Sequence, residues 1–195
     1  MNLNSPYSKT YTFCFAGFLS LLGLTTTTLA WTEPDHSESL SRLVADLDQF
    51  HRVTDKPHRM ADSTAELCAV SYNTHIHEGI GETAYCHVYV TANGKEVLTS
   101  GKGNYPIGSV IVKSKLQREN SNDAILYTVM RKMSEGYDSD NGDWEYTVLD
   151  GPSKRVLASG KIDSCIACHK SYSASDYVTR EYLKDNPSPS KKRNR

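Results

Sequence analysis

The chain has 195 residues, with 22 basic and 23 acidic side chains and a formal net charge of −1 at neutral pH. This length allows one domain with a hydrophobic core and leaves little room for two. The near balance of charge excludes the strongly basic surface typical of proteins that bind nucleic acid, so we expect no nucleic acid among its partners.

The first 30 residues have the pattern of an export signal. Lys9 is their only charged residue, an apolar run extends from Tyr11 to Leu24, and the end at Ala30 is rich in small residues. The run is too short to span a membrane comfortably. We therefore predict a signal peptide over residues 1–30, export to the periplasm and no stable membrane span after cleavage. An uncleaved anchor is the alternative.

A helix is predicted near the start of the mature chain. Its apolar residues recur at helical spacing, which gives the segment one apolar face that could cover a sheet. Ser37 or Ser39 could cap its start, and Pro57 limits its end. The recurring residues are Leu40, Leu43, Val44, Leu47 and Phe50.

Between Cys68 and Leu157 the apolar period changes to two, which indicates β-strands. In the strand from Thr83 to Thr91, alternate residues such as Cys86 and Val88 would share one face. The Asn93-Gly94 pair predicts a hairpin turn into a strand at residues 96–99. Further strands are expected at residues 109–116, 124–133, 144–149 and 155–158. The pattern predicts an antiparallel meander.

The stretch Ser164-Cys165-Ile166-Ala167-Cys168-His169 is the attachment signature of a c-type haem. Two thiols one helical turn apart can each form a thioether to the macrocycle, and the next residue can bind the iron. Cys165 and Cys168 would hold one covalent haem c, with His169 as the proximal ligand. Half of a zinc site would need further ligands, and a redox pair would not explain the histidine.

Two cysteines remain once the signal peptide and the haem are accounted for. These are Cys68 and Cys86, and in an oxidising compartment a disulfide between them is the favoured prediction. Two buried thiols are the alternative.

The predicted fold class is mainly β within α+β: an antiparallel meander sheet with an N-terminal helix and a C-terminal haem-binding helix. Ser164 could cap the second helix. Residues 31–185 would form the haem domain. Residues 186–195, rich in Pro, Ser and basic side chains, would form a disordered basic tail.

Several short motifs together resemble the cytochrome P-460 family, including the related cytochrome c-prime-beta type. They are the Gly-Ser-Val-Ile-Val-Lys strand at 108–113, Gly142-Asp143-Trp144, the late haem motif, and Val178-Thr179-Arg180 followed by Tyr182. The resemblance covers about residues 39–183, nearly the whole mature chain.

The resemblance implies an exported, mostly β, homodimeric c-haem protein whose iron has histidine on one side and an open site on the other. Enzymes of the family oxidise hydroxylamine to nitrous oxide and join a lysine to a meso carbon of the haem. Lys113 matches that lysine. An amine facing an apolar haem would lose its proton and become nucleophilic. The alternative is a solvated strand lysine, which is the expectation for Lys115.

The sequence departs from the enzymes at the distal glutamate that moves protons in their reaction. The matching position falls on Thr128 or its neighbour Tyr127, and neither can act as a carboxylate base. Simple sheet packing is the alternative role for both. We assign Thr128 to the distal position.

Three functions follow from these observations. The first is oxidation of hydroxylamine or a related small nitrogen compound, with electrons passed to an accepting cytochrome. The second is binding of nitric oxide or carbon monoxide, as in the cytochromes c-prime-beta. The third is electron transfer, which needs a sixth protein ligand such as Met60, Met130, Met133 or a histidine.

Overall fold

The computed structural model describes residues 36–60 and 85–185, all within one compact unit. Three α-helices flank the sheet and a fourth follows: α1 His36–Ala45, α2 Lys95–Ser100, α3 Asp163–His169 and α4 Tyr182–Asp185. The strands are β1 His51–Arg52, β2 His58–Arg59, β3 Tyr85–Val90, β4 Val110–Leu116, β5 Ala124–Lys132, β6 Trp144–Asp150 and β7 Val156–Gly160. No helix within these ranges is long and apolar enough to cross a membrane.

The strands form one antiparallel sheet in the order β1-β3-β4-β5-β6-β7, and β2 pairs with another part of β3. From β3 onward each strand pairs with the next one along the chain, as a meander requires. The predicted α+β fold built on an antiparallel meander is therefore confirmed, with one helix before the sheet and the motif helix after it.

Opposite faces of the sheet pack against different helices. Leu40 and Val44 of α1 are buried against the face that carries Val112 and Val129. On the other face, Val88 of β3 belongs to a second core. Successive residues of a strand point to opposite faces of the sheet. Helix α1 and the haem motif therefore pack on opposite sides of it.

The predicted hairpin after β3 is wrong. Residues 95–100 form helix α2, and Gly94 precedes it with φ −90° and ψ −13°. An Asn-Gly hairpin turn needs positive φ at both residues, and Gly94 lacks it. A Cβ at Gly94 would lie 3.0 Å from Val90 Cγ2 and 3.3 Å from Ser109. This glycine allows close packing, and Leu98 of α2 is fully buried.

The segment after β7 also differs from its prediction. Helix α3 begins at Asp163 after Ile162, with no side-chain cap, so Ser164 lies inside the helix. Beyond it, residues 170–175 form a 3-10 helix that ends at Asp176. Asp176 and Tyr177 both have left-handed backbone angles, with φ of 50° and 63°. The chain therefore turns sharply after the motif and does not continue as one helix.

Candidate haem site

A cavity lies between helix α3 and the sheet face opposite α1. The cavity and its mouth, which opens to solvent, together hold about 1020 Å³ of empty space. Val88, Ile111 and Met130 form apolar parts of the sheet wall, and all three are buried. The cavity therefore offers a largely apolar surface to whatever it binds.

Helix α3 brings all three residues of the predicted haem motif to this cavity. Cys165, Cys168 and His169 line it, and each is partly buried. The His169 Nδ1 lies 2.7 Å from the carbonyl oxygen of Tyr177. Because a carbonyl can only accept, Nδ1 carries the hydrogen and Nε2 keeps its lone pair. A backbone acceptor at one ring nitrogen is the usual way to orient a metal-binding histidine.

His169 is held in its neutral form. Burial lowers the pKa of His169 to about 4; the hydrogen bond to Tyr177 opposes this shift, and the positive charge of Lys113 adds to it. A neutral imidazole is the form that binds iron.

The sheet side of the cavity presents Lys113 and Thr128 next to each other. Lys113 of β4 pairs with Val88 of β3 on one side and with Thr128 of β5 on the other. All three residues line the cavity, and Lys113 is half-buried. The strand register therefore brings the two predicted site residues of the sheet to the same cavity as the haem motif.

The family model for cytochrome P-460 matches residues 61–180, more than half of the chain. The chain belongs to the cytochrome P-460 family. The matched stretch contains Lys113, Thr128 and the motif at residues 164–169. None of the curated proteins compared with the chain matches it.

Membership in the cytochrome P-460 family implies a haem cofactor, and the residues around this cavity fit one. The walls are apolar, two cysteines lie one turn apart on α3, and His169 has a nitrogen available for iron. The buried hydroxyl of Tyr146 has no hydrogen-bond partner within the described ranges, and its ring lies 5.4 Å from that of His169. Burying such a group without a partner is costly, so the site as it stands is suited to a further occupant.

The part of the chain that the structure describes offers few carboxylates at this cavity. Glu181 is the one carboxylate among those described lining residues, and it is exposed. Of the two positions considered for the distal group, Thr128 lines the cavity, whereas Tyr127 packs with the α1 core. Of the two residues, only Thr128 therefore shares the cavity with the predicted haem motif.

The fold brings only some of the methionines considered as a sixth iron ligand to the cavity. Met60 and Met130 are buried and line the cavity. Met133 follows β5 and is absent from the described lining. The methionines thus include two that share the cavity with the motif, as electron transfer would require.

Three predictions concern residues that the structure does not describe. Cys86 is buried on the cavity wall, but Cys68 lies outside the described residues, so their disulfide stays a prediction. The signal peptide at residues 1–30 and the basic tail at residues 186–195 also lie outside them.

Sequence reasoning missed the partner of His169. The acceptor is the backbone carbonyl of Tyr177, eight residues after the histidine. Every residue has such a carbonyl, so no side-chain pattern identifies it. Only the left-handed turn at Asp176 and Tyr177 brings this one to the ring.

Proposed function

We propose that this protein is an exported, periplasmic cytochrome with a single covalently bound haem c, and that it oxidises hydroxylamine or a related small nitrogen compound. The observation that supports the enzymatic function is the position of Lys113. This lysine lines the same cavity as Cys165, Cys168 and His169, on the opposite wall. It also matches the cross-linking lysine of the family's enzymes.

Each residue of the site has a defined role in this proposal. Cys165 and Cys168 form the two thioethers, and His169 provides the proximal nitrogen. When bound, the haem supplies an iron with one coordination position for a small molecule. Lys113 would hold the haem by a further covalent bond from its amine nitrogen, as the lysine of the family's enzymes does. Forming that bond would require a two-electron oxidant such as hydrogen peroxide.

The proposed overall reaction takes two hydroxylamine molecules to one nitrous oxide and one water, with release of four protons and four electrons. An accepting cytochrome takes the electrons. The apolar walls at Val88, Ile111 and Met130 limit water around the reacting molecule. We also propose a homodimer, which the family resemblance supports.

The first test is the optical spectrum of the purified protein, oxidised and then reduced, followed by mass analysis of the haem peptide. We expect a broad, red-shifted ferrous band and a haem peptide joined to the peptide that contains Lys113. Lys113→Met should abolish both. Lys115→Met is the matched control, because Lys115 lies on the same strand and face. An ordinary c-haem spectrum with no linked peptide would contradict the enzymatic proposal.

Thr128 supports a second candidate function, binding of nitric oxide or carbon monoxide. A threonine hydroxyl can donate a hydrogen bond but cannot take up a proton near neutral pH. It lies beside Lys113 in the register, where a carboxylate would be needed to remove protons from hydroxylamine. A site with this wall is better suited to holding a diatomic ligand than to moving protons.

The two candidates are separated by a substitution at Thr128. If the missing base limits the chemistry, Thr128→Glu should raise the rate of hydroxylamine oxidation by about 100-fold or more. Thr128→Val is the control that removes the hydroxyl without adding a base. Gas binding predicts a high-spin spectrum that shifts with nitric oxide or carbon monoxide in the unmodified protein. A low-spin spectrum unaffected by either gas would instead indicate electron transfer.

A further inference from the structure

We propose that Asp176, paired with Lys132, is a positioning residue that holds the Tyr177 carbonyl against His169 and thereby sets the electron-donor strength of the proximal imidazole. The proposal rests on the proposed haem ligation by His169. Neither Asp176 nor Lys132 touches the cavity, so both act through the backbone of residues 176–177.

Asp176 is anchored by several groups at once. Both of its carboxylate oxygens lie 2.7 Å from Lys132 Nζ. The backbone N–H of Tyr105 donates to Oδ2 at 2.8 Å, and the indole N–H of Trp144 donates to the Asp176 carbonyl at 2.8 Å. The carboxylate side chain is 6% exposed and the Lys132 side chain 11%. A buried carboxylate is stable only with such partners.

This anchoring fixes a backbone that is otherwise unfavourable. Asp176 and Tyr177 are consecutive non-glycine residues with positive φ, a conformation that costs free energy and persists only where the surroundings enforce it. The Tyr177 N–H donates to the Tyr172 carbonyl at 2.9 Å, and its hydroxyl donates to the Asp140 carbonyl at 3.0 Å. Hydrogen bonds therefore hold the turn at both of its residues with positive φ, Asp176 and Tyr177.

The position of the Tyr177 carbonyl decides what His169 can do. At 2.7 Å from Nδ1 the hydrogen bond is short, and a strong acceptor at Nδ1 increases the basicity of the other nitrogen. A more basic ligand stabilises ferric over ferrous iron. If the turn relaxes, the hydrogen bond lengthens, the iron–histidine bond weakens and the reduction potential rises.

The test compares the unmodified holoprotein with Asp176→Asn and Lys132→Met. Asparagine tolerates the left-handed backbone and can still accept from Tyr105, but it loses the charge that Lys132 needs. We expect the iron–histidine stretching band in resonance Raman spectra of the ferrous protein to move to lower wavenumber in both variants. The midpoint potential should move upward in both.

Glu145→Gln is the matched control. Glu145 is also buried and accepts from Arg131 Nε at 3.0 Å and Nη2 at 2.7 Å. It lies next to Tyr146 on β6 but does not line the cavity among the described residues. This variant should lose stability without any shift of the iron–histidine band. Lower melting temperatures for all three variants with an unmoved band would overturn the proposal, because Asp176 would then be structural only.

A second measurement keeps this proposal separate from the proposed function. Hydrogen–deuterium exchange on the proteins as purified reports the amides of Tyr177 and Val178 directly. We expect them to exchange about tenfold faster or more in Asp176→Asn than in the unmodified protein. If the unmodified protein shows no iron–histidine band, the haem ligation is wrong, and the exchange rates still decide whether Asp176 holds the turn. Unchanged exchange would overturn the positioning role.

Discussion

At the scale of the residue, His87 shows how burial favours the neutral form of an imidazole. Its Nδ1 lies 2.9 Å from Thr54 Oγ1, and that oxygen accepts the Val88 N–H at 3.1 Å. Burial lowers the pKa of His87 from 6.5, the charge of Arg52 lowers it further, and a contact with the Thr54 backbone opposes both.

This arrangement predicts a loss of stability in mild acid. As pH falls below 6.5, the unfolded chain takes up a proton at His87 before the folded protein does, so the free energy of unfolding decreases. His87→Asn keeps a hydrogen-bonding side chain beside Thr54 but cannot titrate. We expect its melting temperature to fall less between about pH 7 and pH 5 than that of the unmodified protein. Parallel curves would contradict this account.

The two lysines of β4 show how much of a residue's surroundings can be predicted from the sequence. Alternation correctly predicted that Lys113 and Lys115 share a face. The expectation that Lys115 is solvated is wrong, since it is only 3% exposed. Alternation identifies the face of a residue but not what covers that face. For the same reason the choice between Tyr127 and Thr128 needed the structure, which brings Thr128 alone of the two to the cavity.

At the scale of the element, helix α2 depends on one distant side chain. Arg180 Nε donates to the Leu98 carbonyl at 2.7 Å, and Nη2 donates to the Thr99 carbonyl at 2.6 Å. The last carbonyls of a helix have no partner within it, so Arg180 caps α2 from 81 residues away. Gly101 ends the helix with φ +69°, a backbone conformation that favours glycine, and an added Cβ would also clash with the Arg180 guanidinium.

Removal of this cap should destabilise the protein measurably. Arg180→Met loses both hydrogen bonds and should lower the free energy of unfolding by about 1.5–3 kcal/mol. Arg180→Lys should recover only part of the loss, because an ammonium cannot reproduce the planar fork of donors. Urea unfolding measures both. The exposed Arg118 gives a control in Arg118→Met, and equal losses at both positions would contradict the capping role.

The same helix explains a failure of prediction. Asn93-Gly94 is a strong local hairpin signal, but local signals are overridden when distant groups stabilise another conformation. Here Leu98 enters the core and Arg180 binds the carbonyls. Neither interaction can be recognised from the sequence around residue 94. By contrast, β4 and β6 were predicted within one residue of their bounds, because their alternation persists along the strand.

At the scale of the whole molecule, the sheet separates two cores with different tasks. Leu40 is 1% exposed and packs on the α1 side, whereas Met130 is 7% exposed and lines the cavity. We expect Leu40→Ala to cost about 2–5 kcal/mol of stability with an unchanged haem spectrum. Met130→Ala should also destabilise the protein but shift the spectrum. Denaturant unfolding and optical spectra of the holoproteins test this, and a spectral change in Leu40→Ala would contradict the separation.

More of the architecture than of the candidate site could be predicted from the sequence. A meander pairs neighbouring strands, so its topology follows from strand order, and the haem motif identifies its own residues. The turn at Asp176 and Tyr177 could not be predicted in this way. It depends on Lys132, Tyr105 and Trp144, which reach it from three separate parts of the chain.

The three residues of the predicted haem motif, Cys165, Cys168 and His169, lie on α3, a helix of only seven residues. A helix this short is not stable alone in water, and none of its residues is fully buried. Its order comes from packing, since Cys165 and Ile166 lie against the core of the sheet. The meander precedes α3 in the chain. The wall on which this helix packs is therefore synthesised before the helix itself.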